Sequence, residues 1–182
     1  MIMLKTNKFV NPQEVIRIAG VKKGMKVTDF GCGSGTYSIL LAKTVGEKGR
    51  VYAVDVLPSA LESVTSQAKL AGLLNVETVR GNLEIPGGSK LENESCDLVL
   101  LSNILFQSKK HIDILKEAKR VCRKEGRIAI IDWIPSEAAL GPEQGRAVSQ
   151  ETVTKEARQV GLKLEKSFPA GTKHYGLIFS KS

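Results

Sequence analysis

Segments typical of strands and segments typical of helices alternate along almost the whole of this 182-residue chain. Each short run of apolar and β-branched residues is followed by a stretch with apolar residues at helical spacing. Because parallel neighbours need a crossover connection, this order predicts a mostly parallel sheet with helices on both faces. The predicted strands are 27–30, 50–54, 76–80, 97–101 and 127–132, and the predicted helices are 11–19, 36–45, 60–71, 111–122 and 150–160.

The end of the chain breaks this alternation. A turn at Pro169–Thr172 connects two further predicted strands, 162–168 and 175–180, without a helix between them. A connection this short joins antiparallel strands. The sequence therefore predicts an α/β fold with a doubly wound, Rossmann-like sheet of seven strands, of which the last is antiparallel.

Length and composition favour one domain, because the chain suffices for one buried core and is short for two. Its 42% hydrophobic and 25% charged residues are ordinary for a soluble domain. We expect one domain over 1–182, with an N-terminal cap segment and helix in 1–25 and the core in 26–182. No apolar run approaches the roughly 20 residues of a membrane span, and no signal peptide is recognisable, which favours a cytoplasmic location. The three cysteines lack zinc-site or disulfide spacing, so we expect free thiols.

A glycine cluster follows the first predicted strand. Asp29 lies near the end of that strand, and Gly31, Gly33 and Gly35 lead into the next helix. Ligands of doubly wound sheets bind beyond the carboxyl ends of the strands, where glycine allows close approach of the backbone. Asp55 follows the second strand twenty positions after Gly35, and its carboxylate can accept hydrogen bonds from both hydroxyls of a ribose. The spacing predicts a nucleoside site across the two strand ends.

A nicotinamide cofactor is the first alternative for such a loop. The G-x-G-x-x-G fingerprint, counted from Gly31, requires glycine at position 36, where this chain has Thr36. No Tyr-x-x-x-Lys motif begins at Tyr37, Tyr52 or Tyr175, and no second domain is expected to carry dehydrogenase chemistry. The sequence therefore disfavours a nicotinamide enzyme.

A series of motifs resembles those of the class I S-adenosylmethionine-dependent methyltransferases. VTDFGCGSG resembles the first signature of that family, VYAVDV its ribose-binding strand, CDLVLLSN its fourth strand, and RVCRKEGRIAIIDW the stretch that leads into its fifth strand. Within the class, the chain is most similar to the ubiquinone/menaquinone-biosynthesis C-methyltransferase type, from about Phe9 onward. The resemblance implies methyl transfer from S-adenosylmethionine, with S-adenosylhomocysteine as the product.

The resemblance also implies which residues bind the cofactor. Asp29 would organise the methionine end, and Asn82, in a GNLE motif similar to the family's G-D-A-E, would meet the adenine amino group. Asn82 keeps an amide oxygen but lacks the charge of the usual aspartate. Val56, Leu57 and Leu83 are candidates for packing on the adenine. The complete implied set is Asp29, Gly31, Cys32, Gly33, Gly35, Asp55, Val56, Leu57, Asn82, Leu83, Ser102 and Asn103.

No catalytic residue is assigned by the sequence, because a sulfonium leaving group is already activated and a base is optional. Asn103, His111 and His174 are the candidates. For Asn103 a turn-forming role is the alternative, and for the two histidines a surface or packing role. No group of side chains has metal-ligand spacing, so we expect no metal.

The apolar residues Phe9, Phe106 and Trp133 are candidate contacts of the methyl acceptor. Phe106 and Trp133 follow the fourth and fifth strands, and Phe9 precedes the first helix. Ligand pockets are mostly apolar, which favours an aromatic or lipid-like small molecule. A role in completing the core is the alternative.

Three functions remain open at this point. The leading hypothesis is a small-molecule methyltransferase, the second an RNA methyltransferase, and the third a cofactor-binding partner subunit without activity. A net charge of +8 and basic residues at helical spacing between 109 and 127 are compatible with RNA binding, but a solvated helix face is the preferred interpretation of this pattern. The sequence predicts neither the acceptor atom nor the oligomeric state. The basic residues are Lys116, Lys119, Arg120 and Arg123.

Overall fold

Seven strands form one sheet in the computed structural model, which describes residues 10–135, 141–143 and 145–181. Five helices and a single 3-10 turn at Leu105–Gln107 accompany the sheet within the described residues. The strands are β1 (Lys26–Phe30), β2 (Arg50–Asp55), β3 (Val76–Arg80), β4 (Cys96–Ser102), β5 (Cys122–Trp133), β6 (Leu162–Pro169) and β7 (His174–Lys181). The helices are α1 (Pro12–Ile18), α2 (Thr36–Val45), α3 (Pro58–Leu70), α4 (His111–Val121) and α5 (Gln150–Gln159).

The strand order is β3-β2-β1-β4-β5-β7-β6. The strands β1 to β5 pair in parallel, and β7 pairs antiparallel with both β5 and β6. The predicted doubly wound sheet with an antiparallel last strand is therefore confirmed. The order reverses beside β1, and the gap between β1 and β4 is the switch point at which such sheets bind ligands.

Local sequence explains the start of the first helix. Oδ1 of Asn11 accepts hydrogen bonds from the backbone N–H groups of Gln13 and Glu14, and Pro12 occupies the first helical position. Proline suits that position because its missing N–H has no helical partner to lose. The chain therefore enters α1 as the sequence predicts.

The core has two layers, one on each face of the sheet. One face packs against α4 and α5, with Leu101, Ile130 and Phe179 fully buried. The other face packs against α1 and α2 and includes Leu100 and Ile131. Because neighbouring strand residues point to opposite faces, the two layers are drawn from alternate positions of the same strands.

The strand β5 begins earlier than the sequence predicts, at Cys122 and not at Arg127. Its charged first residues carry no strand pattern, which is why the prediction missed them. The register against β4 shifts between Cys96 and Leu98, and at Gly126 a Cβ would lie 2.7 Å from Sγ of Cys122. The absence of a side chain at Gly126 thus permits this irregular beginning of the strand.

Candidate functional site

A cavity of about 350 Å³ lies at the switch point, and we call it the switch-point cavity. The loop after β1, the first turn of α2, the residues after β4 and the start of α1 form its walls. Parallel strands bring their carboxyl ends to one edge, so residues far apart in sequence meet there. Of the residues predicted to bind the cofactor, the following line it: Asp29, Gly31, Cys32, Gly33, Ser102 and Asn103.

The glycines of the loop have different roles. At Gly31, with φ of +72°, a Cβ would collide with the side chain of Ile104. At Gly33, with φ of +50°, a Cβ would meet no atom within 4 Å. Gly31 is therefore required by the packing of the protein itself, whereas the space beside Gly33 is left open at the cavity. Gly35, with φ of +92°, precedes α2 and provides no side-chain cap for that helix.

The carboxylate of Asp55 ties the glycine loop to the end of β2. Its Oδ2 accepts a hydrogen bond from the N–H of Gly33, and its Oδ1 accepts one from the N–H of Leu57, each at 3.0 Å. Each carboxylate oxygen retains a free acceptor site for a ligand hydroxyl. The side chains of Val56 and Leu57 are 49% and 58% exposed, so an apolar surface flanks this carboxylate.

In the loop after β3, two adjacent residues that were predicted to bind the cofactor have different surroundings. Asn82 is exposed, and its Oδ1 accepts a hydrogen bond from the N–H of Glu84. Leu83 is buried in the core, so its side chain contributes to packing. Ile85, which sequence reasoning did not single out, is 52% exposed in the same loop.

A buried acid on α4 holds this loop in place. The carboxylate of Glu117 accepts hydrogen bonds from the N–H groups of Gly87 and Ser89 at 2.9 and 3.0 Å, and also pairs with Arg120. Sequence reasoning missed Glu117 because it resembles any charged residue of an exposed helix. Its contacts fix the loop that carries Asn82.

Asp29 is 2% exposed at the bottom of the switch-point cavity. Burial raises the pKa of its carboxyl to about 6, although the hydroxyl of Ser38, which donates to Oδ2 at 2.6 Å, lowers it. The charge of Asp55 raises this pKa further. A buried carboxylate with few donors is suited to a nearby cationic group of a ligand.

Two more polar groups in this cavity lack partners. The phenol oxygen of Tyr37 lies beside Ser102 but, like Oδ1 of Asn103, is buried without a hydrogen-bond partner in the described part of the chain. Burial raises the pKa of Tyr37 to about 12, so the phenol is neutral. Buried polar groups are nearly always paired, so two unpaired ones in one cavity indicate a polar ligand. Sequence reasoning missed Tyr37, although it directly follows the glycine loop and Thr36.

Asn103 has an unusual backbone. Its φ of +58° is rare for a residue other than glycine. The N–H of Asn103 donates to the carbonyl of Ile131 at 2.8 Å, and its own carbonyl accepts from Nε2 of Gln107 at 2.6 Å. These bonds hold the strained residue at the end of β4.

Asp132 is fully buried at the end of β5 and organises the turn after β4. Oδ2 accepts a hydrogen bond from the N–H of Leu105 at 2.9 Å, and Oδ1 accepts one from the N–H of Trp133 at 2.8 Å. Burial raises the pKa of its carboxyl to about 6, against the lowering effect of these backbone donors. The sequence signal for this role was the position of Asp132 as an acidic residue within an otherwise apolar run.

The two histidines lie outside the lining of the switch-point cavity. Both ring nitrogens of His111 face acceptors, with Nε2 2.7 Å from the carbonyl of Ser108 and Nδ1 3.2 Å from Oε2 of Glu156. His174 packs against Trp133 with ring centroids 4.0 Å apart. Burial lowers the pKa of His174, and its Nε2 has no hydrogen-bond partner among the described residues.

The candidate acceptor contacts do not come together. Phe106 lines a second cavity, of about 660 Å³, which also includes His111. Trp133 is not part of that lining and packs on His174 instead. Phe9 lies outside the described residues. Phe106 and Trp133 thus have different neighbours among the described residues, and the apolar pocket formed by Phe9, Phe106 and Trp133 stays a prediction.

The four basic residues at helical spacing all have partners within the fold. An exposed basic face that binds a polyanion needs its cations free. Lys119, Arg120 and Arg123 contact partly buried partners, whereas the pair of Lys116 is exposed and leaves that cation available. The pairs are Lys116 with Asp113, Lys119 with the carbonyl of Val160, Arg120 with Glu117, and Arg123 with Asp97.

Within residues 10–135, 141–143 and 145–181, no group of three or more His, Cys, Asp or Glu side chains could hold a metal ion. In the same ranges no helix has the length and apolarity needed to cross a membrane. Cys32, Cys96 and Cys122 are free and buried.

Comparison with known proteins agrees with this geometry. The profile of a family described as a methyltransferase domain matches residues 21–173. A crystal structure of an S-adenosylmethionine-dependent methyltransferase from Aquifex aeolicus superposes with a TM-score of 0.87 and 29% identity, covering 96% of this chain and 92% of that one. A putative type 11 methyltransferase from Sulfolobus solfataricus shares the fold, with a TM-score of 0.77, 24% identity and coverage of 96% and 94%.

Curated relatives point the same way. A demethylmenaquinone methyltransferase of Listeria welshimeri is 31% identical over 121 residues, which are 66% of this chain and 50% of the relative. That of Staphylococcus aureus is 33% identical over 121 residues, 66% of this chain and 48% of the relative. The chain spans about half the length of these relatives. It belongs to the methyltransferase-domain family, within the class I S-adenosylmethionine-dependent methyltransferases.

Proposed function

We propose that the protein transfers the methyl group of S-adenosylmethionine to a small-molecule acceptor. The observation that carries this proposal is the switch-point cavity, in which an open glycine loop lies beside three underpaired polar groups. These groups are the carboxyl of Asp29, the phenol of Tyr37 and the amide oxygen of Asn103. A polar ligand stabilises such groups because each otherwise pays a desolvation cost.

The residues present fit this cofactor. Asp55 has free acceptor sites for the ribose hydroxyls, and the exposed side chains of Val56 and Leu57 offer an apolar surface for the adenine. Asn82 is exposed beside the same strand ends. The methionine end would meet Asp29, Tyr37 and Asn103, whose buried groups suit an ammonium and a carboxylate. Leu83 lies in the core with 7% of its surface exposed, and its contact with the adenine stays a prediction.

Methyl transfer depends more on the position of the acceptor than on acid–base catalysis. When bound, S-adenosylmethionine supplies an activated methyl group: a lone pair of the acceptor bonds to the methyl carbon, and the electron pair of the C–S bond returns to sulfur. The chain must hold the acceptor in line and exclude water. Asp132 and the carbonyl of Asn103 fix the turn 103–107 beside the cavity, so they act as positioning groups.

Two observations support a small acceptor over RNA. Three of the four basic residues at helical spacing on α4 and β5 are engaged within the fold, through Val160, Glu117 and Asp97, and only the exposed pair of Lys116 leaves its cation available. The curated relatives carry the name demethylmenaquinone methyltransferase, and so are named for a small molecule. A partner subunit without activity is a weaker candidate, since the glycine loop and Asp55 are intact.

Calorimetry with S-adenosylhomocysteine tests the cofactor site. We expect micromolar affinity, about −8 kcal/mol, and a loss of at least about 100-fold in Gly33→Val, because the new side chain enters the open space of the cavity. Gly46→Val is the matched control, since Gly46 also has a positive φ, +68°, and a Cβ there also meets nothing within 4 Å. Both variants carry a similar backbone strain of about 1–3 kcal/mol, which thermal melting would register.

A labelled-methyl assay on fractionated cell extract tests the acceptor. We expect the labelled methyl group in the small-molecule fraction. We expect Gly33→Val, which blocks the cavity, to prevent this labelling. Normal affinity in Gly33→Val would contradict the cofactor site. Label in RNA alone, together with salt-sensitive RNA binding, would contradict the small-molecule proposal.

A further inference from the structure

A second cavity adjoins the site on the side of α4 and α5, and we call it the α4–α5 cavity. It has a volume of about 660 Å³, which lies within the range of about 300–1,000 Å³ that small-molecule sites occupy. The turn 105–108, the start of α4, residues 145–149 and the first turns of α5 form its walls.

The α4–α5 cavity and the switch-point cavity share one wall residue. Gln107 lines both, and its amide Nε2 is held 2.6 Å from the carbonyl of Asn103. The two cavities therefore meet at the side chain of Gln107. Because Asp132 fixes the same turn through the N–H of Leu105, this junction is built from ordered backbone.

The charges around the α4–α5 cavity are unbalanced. Lys109 and Arg146 lie on its wall, as does one acid, Glu156. The acid faces His111, whose Nδ1 is 3.2 Å from Oε2 of Glu156, although that oxygen accepts no hydrogen bond from the described residues. Arg146 reaches only Glu143, 3.6 Å away and largely exposed, and Lys109 forms no ion pair with the residues that the structure describes.

The two cations are therefore available to a ligand, since exposed pairs such as that of Arg146 contribute little. The first residues of α4 and α5 line the same cavity, and the positive ends of both helices add to its potential. Phe106 supplies an apolar surface at the junction. A ligand with an anionic group at one end and a ring at the other would match this distribution of positive charge and apolar surface.

We propose that the α4–α5 cavity binds the methyl acceptor, and that the acceptor is an organic anion whose charged group pairs with Lys109 and Arg146 while its ring lies against Phe106. The inference rests on the proposed methyl transfer and specifies its substrate class. The proposed organic anion differs from a neutral lipid acceptor, because a neutral lipid has no charged group to pair with the two available cations. The reaction at the methyl group is the one given above, and the anionic group takes no part in it.

Binding of two isosteric probes to the protein saturated with S-adenosylhomocysteine tests this proposal. Benzoate and benzamide have the same shape and differ in charge. Titration by ligand-observed NMR is expected to show benzoate binding about tenfold more tightly than benzamide, as charge-assisted contacts predict. Equal affinity of the two probes, or binding of neither, would overturn the proposal.

Charge variants identify the residues responsible. Lys109→Gln and Arg146→Gln are each expected to weaken benzoate binding up to about fivefold, and together to abolish the preference over benzamide. Lys155→Gln is the matched control, because Lys155 is exposed on α5 and lines a different groove. A preference that survives the double variant would refute the assignment.

The affinity for S-adenosylhomocysteine separates this inference from the proposed function. We expect it to be unchanged in all three charge variants, because none lines the switch-point cavity. The labelled product from cell extract is expected to bind an anion-exchange resin at neutral pH. Label found only in neutral lipids would overturn the inference while leaving methyl transfer intact, whereas absence of cofactor binding and of any labelled product would overturn the proposed function itself.

Discussion

Two equally buried carboxylates behave in opposite ways in this molecule. Glu117, on α4, and Asp29, in the switch-point cavity, are each 2% exposed. Burial by itself raises the pKa of Glu117, but hydrogen bonds from Arg120, Ser89 and Gly87 outweigh it and hold the pKa at about 2. At Asp29 burial prevails over the bonds from Ser38, and the pKa rises to about 6.

The difference separates a structural acid from acids of the site. Glu117 is surrounded by donors, so its charge is fully compensated and joins α4 to the loop that carries Asn82. Asp29 and Asp132, at the carboxyl ends of β1 and β5, have fewer donors, and both have a pKa of about 6. The charge state of each acid therefore follows from the balance between the depth of its burial and the donors around it. Asp132 accepts from backbone donors and holds the turn after β4, whereas Asp29 lines the switch-point cavity, where a ligand can supply a further partner.

The largest expected effect is that of Glu117→Ala. Removing this carboxylate leaves Arg120 and the N–H groups of Gly87 and Ser89 without their partner. We expect a loss of about 3–5 kcal/mol in the free energy of unfolding, the usual cost of breaking a buried pair. Urea denaturation measures it, and Glu62→Ala, at an exposed position on α3, is the control, with an expected change within about 0.5 kcal/mol. A loss under about 1 kcal/mol for Glu117→Ala would remove the distinction drawn between the two acids.

A smaller effect of opposite sign is expected for Asp29→Asn. At pH 8 the buried carboxylate is charged and incompletely paired, whereas the amide still accepts from Ser38. We expect the unliganded protein to gain about 1–2 kcal/mol of stability while its affinity for S-adenosylmethionine falls. Denaturation and calorimetry on the same sample check both parts, with Asp113→Asn, whose side chain is 41% exposed, as the control. Loss of stability in Asp29→Asn would mean that Asp29 is a structural acid like Glu117.

The smallest expected effects are the pH dependences of the stability changes caused by Glu117→Ala and Asp29→Asn. The pKa of Glu117 is depressed in the folded protein, so its contribution is complete above the unfolded value of 4.5 and disappears as the pH falls toward 2. The pKa of Asp29 is raised, so its destabilising effect is complete above about 6 and fades as the pH falls toward the unfolded value of 3.8. Stability measured from pH 8 to pH 3 is expected to show the Asp29→Asn advantage vanish first. If the stability changes of Glu117→Ala and Asp29→Asn disappeared over the same pH interval, the distinction between the two acids would be wrong.

The sequence alone determined the order of strands and helices and the position of the glycine loop. These features are local: apolar periodicity, a capped helix start at Asn11 and the turn Pro169–Thr172 can each be recognised in a short stretch of chain. Asp55 was also predictable, because its distance along the chain from the glycines follows from one strand, one helix and the next strand. These predictions agree with the structure because the physics involved acts over a few residues.

Only the tertiary structure decided how groups from different elements meet. The underpaired set of Asp29, Tyr37 and Asn103 draws on β1, α2 and the end of β4. Phe106 and Trp133 were expected in one pocket, and the structure gives them different neighbours. Whether an acid is compensated depends on how many donors converge on it from elsewhere in the fold, and no short stretch of sequence records that number.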